Sequence, residues 1–225
     1  MLTTLVGGTP DGVKVLPTKI DPTFSALRVT NRPIEALGFY SIGVATSTYG
    51  GLLANDPIFS MRWGTANRFF ILLRFNIHVI VTTTASTPGV VDRRLVVARN
   101  FTASDSGQTA VTLTGNSFKL RTSYPSTLIT DMRVSGGGAI TAGTRTLDAN
   151  GIGLVQAEMG TTALTAGLEE RVIDPYDLFN AVTASQPPLV LQQNEGLIVD
   201  MPTAEPASAS LISVFNMVWA EANNY

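Results

Sequence analysis

Phe69-Phe70-Ile71-Leu72-Leu73-Arg74-Phe75-Asn76-Ile77-His78-Val79-Ile80-Val81 is the most apolar stretch of the chain, and how it is read decides the fold. Phe69, Ile71, Leu73, Phe75, Ile77, Val79 and Val81 recur at a spacing of two, which puts them on one side of a β-strand. Arg74, Asn76 and His78 fall on the other side, so the middle of the strand is half-buried. The run is too short for a membrane-spanning helix and carries three polar groups. It predicts a long antiparallel strand with one wet or interfacial face.

On either side the chain is a series of strand candidates separated by turn residues. Ala26 to Thr30 and Gly38 to Ala45 precede the long strand, and Val91 to Arg99 follows as its expected partner after Pro88-Gly89. Residues 100 to 127 are rich in Ser, Thr and Gly with little periodicity, and predict an irregular excursion with one short strand at Ala110 to Leu113. Leu128 to Val134 is a further strand, closed by Gly136-Gly137-Gly138. Residues 139 to 170 show no clear face, with one helical turn expected at Leu164 to Glu170.

Leu189 to Leu191 and Leu197 to Met201 are short strands, and Leu211 to Glu221 is the last. The last places Leu211, Ser213, Phe215, Met217 and Trp219 on one side and Ile212, Val214, Asn216 and Val218 on the other. Both sides are largely apolar, which predicts a position inside a sheet. With no long amphipathic helix and no βαβ alternation, the expected fold is all-β: an antiparallel β-sandwich of jelly-roll type spanning residues 24–225.

Residues 1–23 contain Gly7, Gly8, Pro10, Gly12, Pro17 and Pro22, which cannot sustain a helix and predict an extended N-terminal arm. Its apolar residues Val13, Val15, Leu16 and Ile20 are candidate contacts to a neighbouring subunit. Trp63, beside Arg62 and Gly64, is a further candidate as a loop anchor, set against a role capping the end of the sandwich.

Charged residues make up only 14% of the 225, and Ser and Thr take their place. Hydroxyl groups cost less to desolvate than ions, so such a surface suits contact. Of the fifteen cationic residues, all but Lys14, Lys19 and Lys119 are Arg, the cation that loses less hydration in interfaces. A net charge of −2 gives no basic field for nucleic acid. The N-terminus lacks the pattern of a secretory signal, which predicts a soluble protein made in the cytoplasm.

Chemistry is hard to assemble from these residues. With no Cys, thiolate metal sites, disulfides and cysteine nucleophiles are excluded. The single His78 would have to serve any triad, and no Gly-x-Ser-x-Gly elbow is present. Glu169-Glu170 and Asp174 with Asp177 are the only close acid groupings, and they read as a solvated turn beside Arg171. The Gly clusters do not join a strand to a helix as a phosphate cradle requires. Arg93-Arg94 places one cation on each side of its strand. No enzyme activity, cofactor, metal, membrane or small-molecule ligand is expected.

Several segments carry a resemblance when taken together. They are Asn100-Phe101-Thr102-Ala103-Ser104-Asp105-Ser106-Gly107, Thr112-Leu113-Thr114-Gly115-Asn116 and Lys119-Leu120-Arg121-Thr122-Ser123. To these add Ala142-Gly143-Thr144-Arg145-Thr146-Leu147-Asp148-Ala149, Gln193-Asn194-Glu195-Gly196 and Trp219-Ala220-Glu221. Over residues 69 to 221 the assortment resembles structural proteins of tailed bacteriophage particles. The resemblance implies a decoration or cement subunit on the capsid exterior, often a homotrimer, whose partners are the major capsid protein and copies of itself. Synthesis would be in the host cytoplasm. A tail, baseplate or head-fibre component binding a glycan or receptor is the alternative, with Trp63, Tyr124 and Asn116 as its candidate contacts.

Overall fold

The structure, a computed structural model, describes residues 20–21, 26–27, 36–116, 118–159, 172–181 and 187–223. The chain divides into two compact units, residues 1–32 and 33–225. In the first, β1 (Ile20–Asp21) pairs antiparallel with β2 (Ala26–Leu27), Ile20 opposite Leu27. The arm residues Val13, Val15 and Leu16 lie outside the described residues, as does the helical turn expected at Leu164 to Glu170.

The second unit is a β-sandwich of two antiparallel sheets. One sheet contains β3 (Ala36–Ala45), β5 (Phe69–Thr83), β11 (Val172–Asn180), β12 (Leu189–Leu191) and β14 (Ser210–Ala222). Its strand order is β11-β5-β14-β3, and β12 continues the edge of β5 beyond β11. The other contains β4 (Pro57–Trp63), β6 (Gly89–Arg99), β7 (Thr109–Ala110), β8 (Asp131–Val134), β9 (Thr146–Leu147), β10 (Gly153–Met159) and β13 (Glu195–Asp200). Its order is β10-β6-β13-β4-β8-β7, with β9 alongside β6. The chain therefore crosses between sheets at β3 to β4, β4 to β5, β5 to β6, β10 to β11, β12 to β13 and β13 to β14.

The core fills the space between the sheets. Phe59, Phe75 and Phe215 meet there with ring centroids 5.1–6.1 Å apart, and Trp219 stacks on Tyr40 at 5.3 Å. Such rings bury large apolar areas, and their offset geometry adds to the gain. β14 behaves as its alternation predicts: Leu211, Ser213, Phe215, Met217 and Trp219 are buried, and the strand lies between β5 and β3.

The long strand departs from simple alternation. Val218 stands opposite Arg74 while the next residue, Trp219, stands opposite Leu72, so Leu73 is an extra residue in β5. A bulge of this kind reverses which side chains point inward. Phe75, Ile77, Val79 and Val81 face the main core as expected, but Phe70 and Leu72 join them in place of Phe69, Ile71 and Leu73. Those three belong instead to a small cluster with Ala220 and Ala222 on the outer side of the sheet.

Three further expectations are corrected. β6 does not pair with β5; it crosses to the other sheet and lies between β13 and β10. The acidic segment around Asp174 and Asp177 is not a turn but part of the edge strand β11, where irregular register around Pro175 hid the period of two. Residues 146–147 and 153–159, read as faceless, are β9 and β10. Among its described residues the excursion at residues 100–127 is largely irregular, with one short strand at Thr109–Ala110.

Candidate interaction surfaces

The two outer faces of the sandwich differ. The face of the seven-stranded sheet is wrapped by the chain itself. Asn100 adopts a left-handed backbone (φ 50°) at the exit of β6, a conformation asparagine tolerates better than most residues. The turn folds Phe101 back over the sheet, where its N–H donates to the Asn194 carbonyl at 2.7 Å. Phe101 is buried there with Ala98 and Ile198, and Leu147 packs against them.

Ion pairs hold this wrapping in place. Asp105, 1% exposed, accepts from Ser60 Oγ at 2.6 Å and from the Gly143 N–H at 2.7 Å, and it meets the Arg145 guanidinium. Arg145 lies over the Phe101 ring, 5.4 Å from its centroid. Burial pushes the Arg145 guanidinium down to about 10, an effect opposed by the charge of Asp200. Arg62 Nε donates to the Phe101 carbonyl at 2.7 Å. Arg99 bridges Asp148 and Glu195, and Arg94 grips Asp200 through both carboxylate oxygens, at 2.9 and 2.7 Å. The pairings with Asp148 and Asp200 hold the Arg99 and Arg94 guanidinium groups above their ordinary range.

Two polar networks lie deeper. Arg93 points into the sandwich, where it donates to Glu205 at 2.9 Å and Tyr49 Oη at 2.8 Å. Its guanidinium carbon is 5.6 Å from the centroid of the Tyr49 ring. Burial raises Glu205 above the usual carboxylate range, against the pull of Arg93, and raises Tyr49 likewise. Glu221 accepts from Trp219 Nε1 at 3.0 Å, from the Leu128 N–H and from Thr127 Oγ1, tying the end of the excursion to β14. Burial pushes this carboxyl up as well. Tyr40 is raised by burial first, then by the charge of Glu221.

Trp63 does not reach the surface. It ends β4 fully buried, donates its indole N–H to the Arg68 carbonyl at 3.1 Å and packs against Phe70. Its ring is part of the core, so it offers no face to a partner. Ile20 lies in β1, in the unit of residues 1–32. Tyr124 leans on Phe39 and Tyr40, and Asn116 is exposed in the excursion.

Among the described residues, the exposed large apolar side chains are Leu53, Leu120, Ile152 and Leu154. Leu154 stands opposite Arg94, and the Ile152 N–H donates to the Leu95 carbonyl, so these two sit beside the Arg94–Asp200 pair. Among the described residues, no group of three or more His, Cys, Asp or Glu could hold a metal ion. Sequence reading missed Arg93, Asp105, Arg145, Glu205 and Glu221 as buried groups. The one available signal was Arg93-Arg94 inside a strand, where alternation requires one of the two to face inward.

No protein-family model, curated protein or solved structure matches this chain.

Proposed function

We propose that this chain is a structural subunit of a tailed-bacteriophage particle, bound to the capsid exterior as a decoration or cement protein. The observation that carries the reading is the strand order. Sheets running β11-β5-β14-β3 and β10-β6-β13-β4 support a jelly-roll reading, with β3, β4, β5, β6, β10, β11, β13 and β14 as its eight principal strands. That architecture serves viral capsid domains, and lectin domains as well. The scarcity of charge and the exposed apolar side chains Leu53, Ile152 and Leu154 support a protein built for contact.

In this role the subunit works by added contact area and performs no reaction. Each copy buries hydroxyl-rich and apolar surface across seams of the major capsid protein, and linked copies act at high effective concentration. Val13, Val15, Leu16 and Ile20 supply the arm's grip on a neighbour. The virion exterior is the site of action after synthesis in the host cytoplasm.

The test is co-sedimentation with undecorated tailed-bacteriophage capsids, using the full chain and a version lacking residues 1–23. Saturable binding that weakens without the arm is expected. Failure of both forms to bind capsids, with binding to host surface polysaccharide instead, would favour a tail or fibre component.

A further inference from the structure

Two of the exposed leucines stand at opposite ends of the sandwich, and the charge around them has opposite sign. The ends are fixed by pairing. Ser47, just past β3, donates its N–H to the Ser135 carbonyl, and the Ser135 N–H donates to the Ile58 carbonyl. The Ala45 end of β3 and the Pro57 end of β4 therefore lie together. At the other end Gly38 of β3 stands opposite Glu221, which holds Leu128, and the Thr130 N–H donates to the Arg62 carbonyl beside Trp63.

Leu120, 58% exposed, sits between Lys119 and Arg121 on the edge of β3 toward its Ala36 end, where its N–H donates to the Phe39 carbonyl at 3.1 Å. The Tyr124 N–H closes the turn onto the Arg121 carbonyl at 3.0 Å, and the Tyr124 ring leans on Phe39. Arg68, whose carbonyl receives the Trp63 indole N–H, lies at the same end. Among the described residues, none of these three cations is in an ion pair.

Leu53, 68% exposed, tops the turn that leads into β4 at the opposite end. Asp56 Oδ2 accepts the Leu53 N–H at 2.9 Å, and the Asn55 N–H anchors the turn to the Met201 carbonyl at 2.6 Å. Among the described residues Asp56 has no cationic partner. Nor has Glu158, which is exposed opposite Val90 toward the same end of β6.

We propose that copies of this chain join end to end, the Lys119–Leu120–Arg121 turn of one against the Leu53–Asp56 turn of the next. A single exposed leucine is ordinary. What distinguishes this pair is charge, because each leucine lies among groups of the sign opposite to those around the other. Opposite potentials steer unlike turns together and like turns apart, so the contact joins two different patches of one molecule. Covering two leucines adds an apolar gain that surface ion pairs alone do not supply. Both turns are already held by backbone hydrogen bonds, so little ordering is lost on contact. A different protein would need only one of these turns, and the presence of both on one chain selects a second copy. Such a contact is heterologous and builds a closed ring or an open row.

The experiment is sedimentation velocity on the full chain at concentrations on the order of 100 μM, at ionic strengths of about 0.02 and 0.5 M. Lys119→Glu with Arg121→Glu turns the cationic end acidic. Ala54→Arg with Ala204→Arg, at two exposed alanines beside the Leu53 turn, turns the acidic end cationic. The wild type should self-associate, less so at the higher salt, and each double variant alone should associate about tenfold more weakly. An equal mixture of the two should regain association, since each offers the end the other lacks, and that recovery shows that both are folded. Asn216→Arg, exposed midway along β14 and away from both ends, should leave association unchanged. A monomeric wild type, association indifferent to either double variant or to salt, or a mixture no better than its components would overturn the proposal. Capsid binding by a protein that stays monomeric would leave the proposed function standing and remove this inference alone.

Discussion

Arg93 Nη2 and Glu205 Oε1 meet at 2.9 Å inside the sandwich, each side chain only 1% exposed. The pair joins β6 to the segment before β14, and Tyr49 closes the network by donating or accepting at Ser213 Oγ. Two ions taken out of water recover their desolvation cost only while both are present. Glu205→Ala should therefore lower stability by about 3–5 kcal/mol, because it strands the guanidinium. The double replacement Arg93→Met with Glu205→Leu removes both charges and should recover most of that loss. Urea unfolding of the three proteins checks this, and a double variant no more stable than Glu205→Ala would contradict it.

Glu221 gives stability a pH dependence of definite sign. Its folded carboxyl is raised by burial above the ordinary value of 4.5, so the folded chain takes up a proton at a higher pH than the unfolded chain does. Its contribution to stability grows as pH falls from neutral toward 4.5 and is lost as pH rises through the folded value. In Glu221→Gln that gain disappears. The stability of wild type relative to Glu221→Gln should rise steadily between neutral pH and the acid end, measured by urea unfolding across the range. A constant difference would mean that Glu221 is not held in this way.

The bulge in β5 separates two adjacent leucines. Leu72 faces the main core and is fully buried, whereas Leu73 is half-buried on the outer side. Leu72→Ala should cost about 2–5 kcal/mol, and Leu73→Ala less than half as much. Thermal or chemical unfolding of the two variants distinguishes a bulged strand from a regular one, since unbroken alternation reverses the ranking.

Gly143 marks where the wrapping segment comes closest to the excursion. A Cβ there would lie 2.2 Å from the Ala103 carbonyl oxygen, a backbone atom with little room to move. Gly143→Ala should cost roughly 1–3 kcal/mol and loosen residues 100–105 from the sheet. Hydrogen exchange of the Phe101 and Thr102 amides reports the loosening; unchanged protection would contradict it.

Most of the sandwich was legible in the sequence because β14 alternates cleanly: its inward residues form one side of the core and its outward residues form a face. β5 was legible as a strand but not in its phase, since a bulge adds one residue without leaving a Gly or Pro at the spot. β6 was assigned to the wrong neighbour because a hairpin and a crossover leave the same signal in a single strand. β11 was missed because Pro175 and two register shifts remove the alternation on which strand reading depends. Trp63 looked like a loop anchor from its neighbours Arg62 and Gly64, yet tertiary pairing with Glu195 extends β4 to include it and buries the ring. The buried charges were invisible except for Arg93, since Asp105 and Arg145 come together only through the fold of the excursion.

The proposed role of this sandwich is to strengthen a capsid by binding its exterior. The direct measurement is the temperature at which undecorated capsids come apart, recorded with and without saturating amounts of the full chain. The account predicts a clear rise that disappears when residues 1–23 are removed. An unchanged disruption temperature at a concentration where binding is saturated would contradict it.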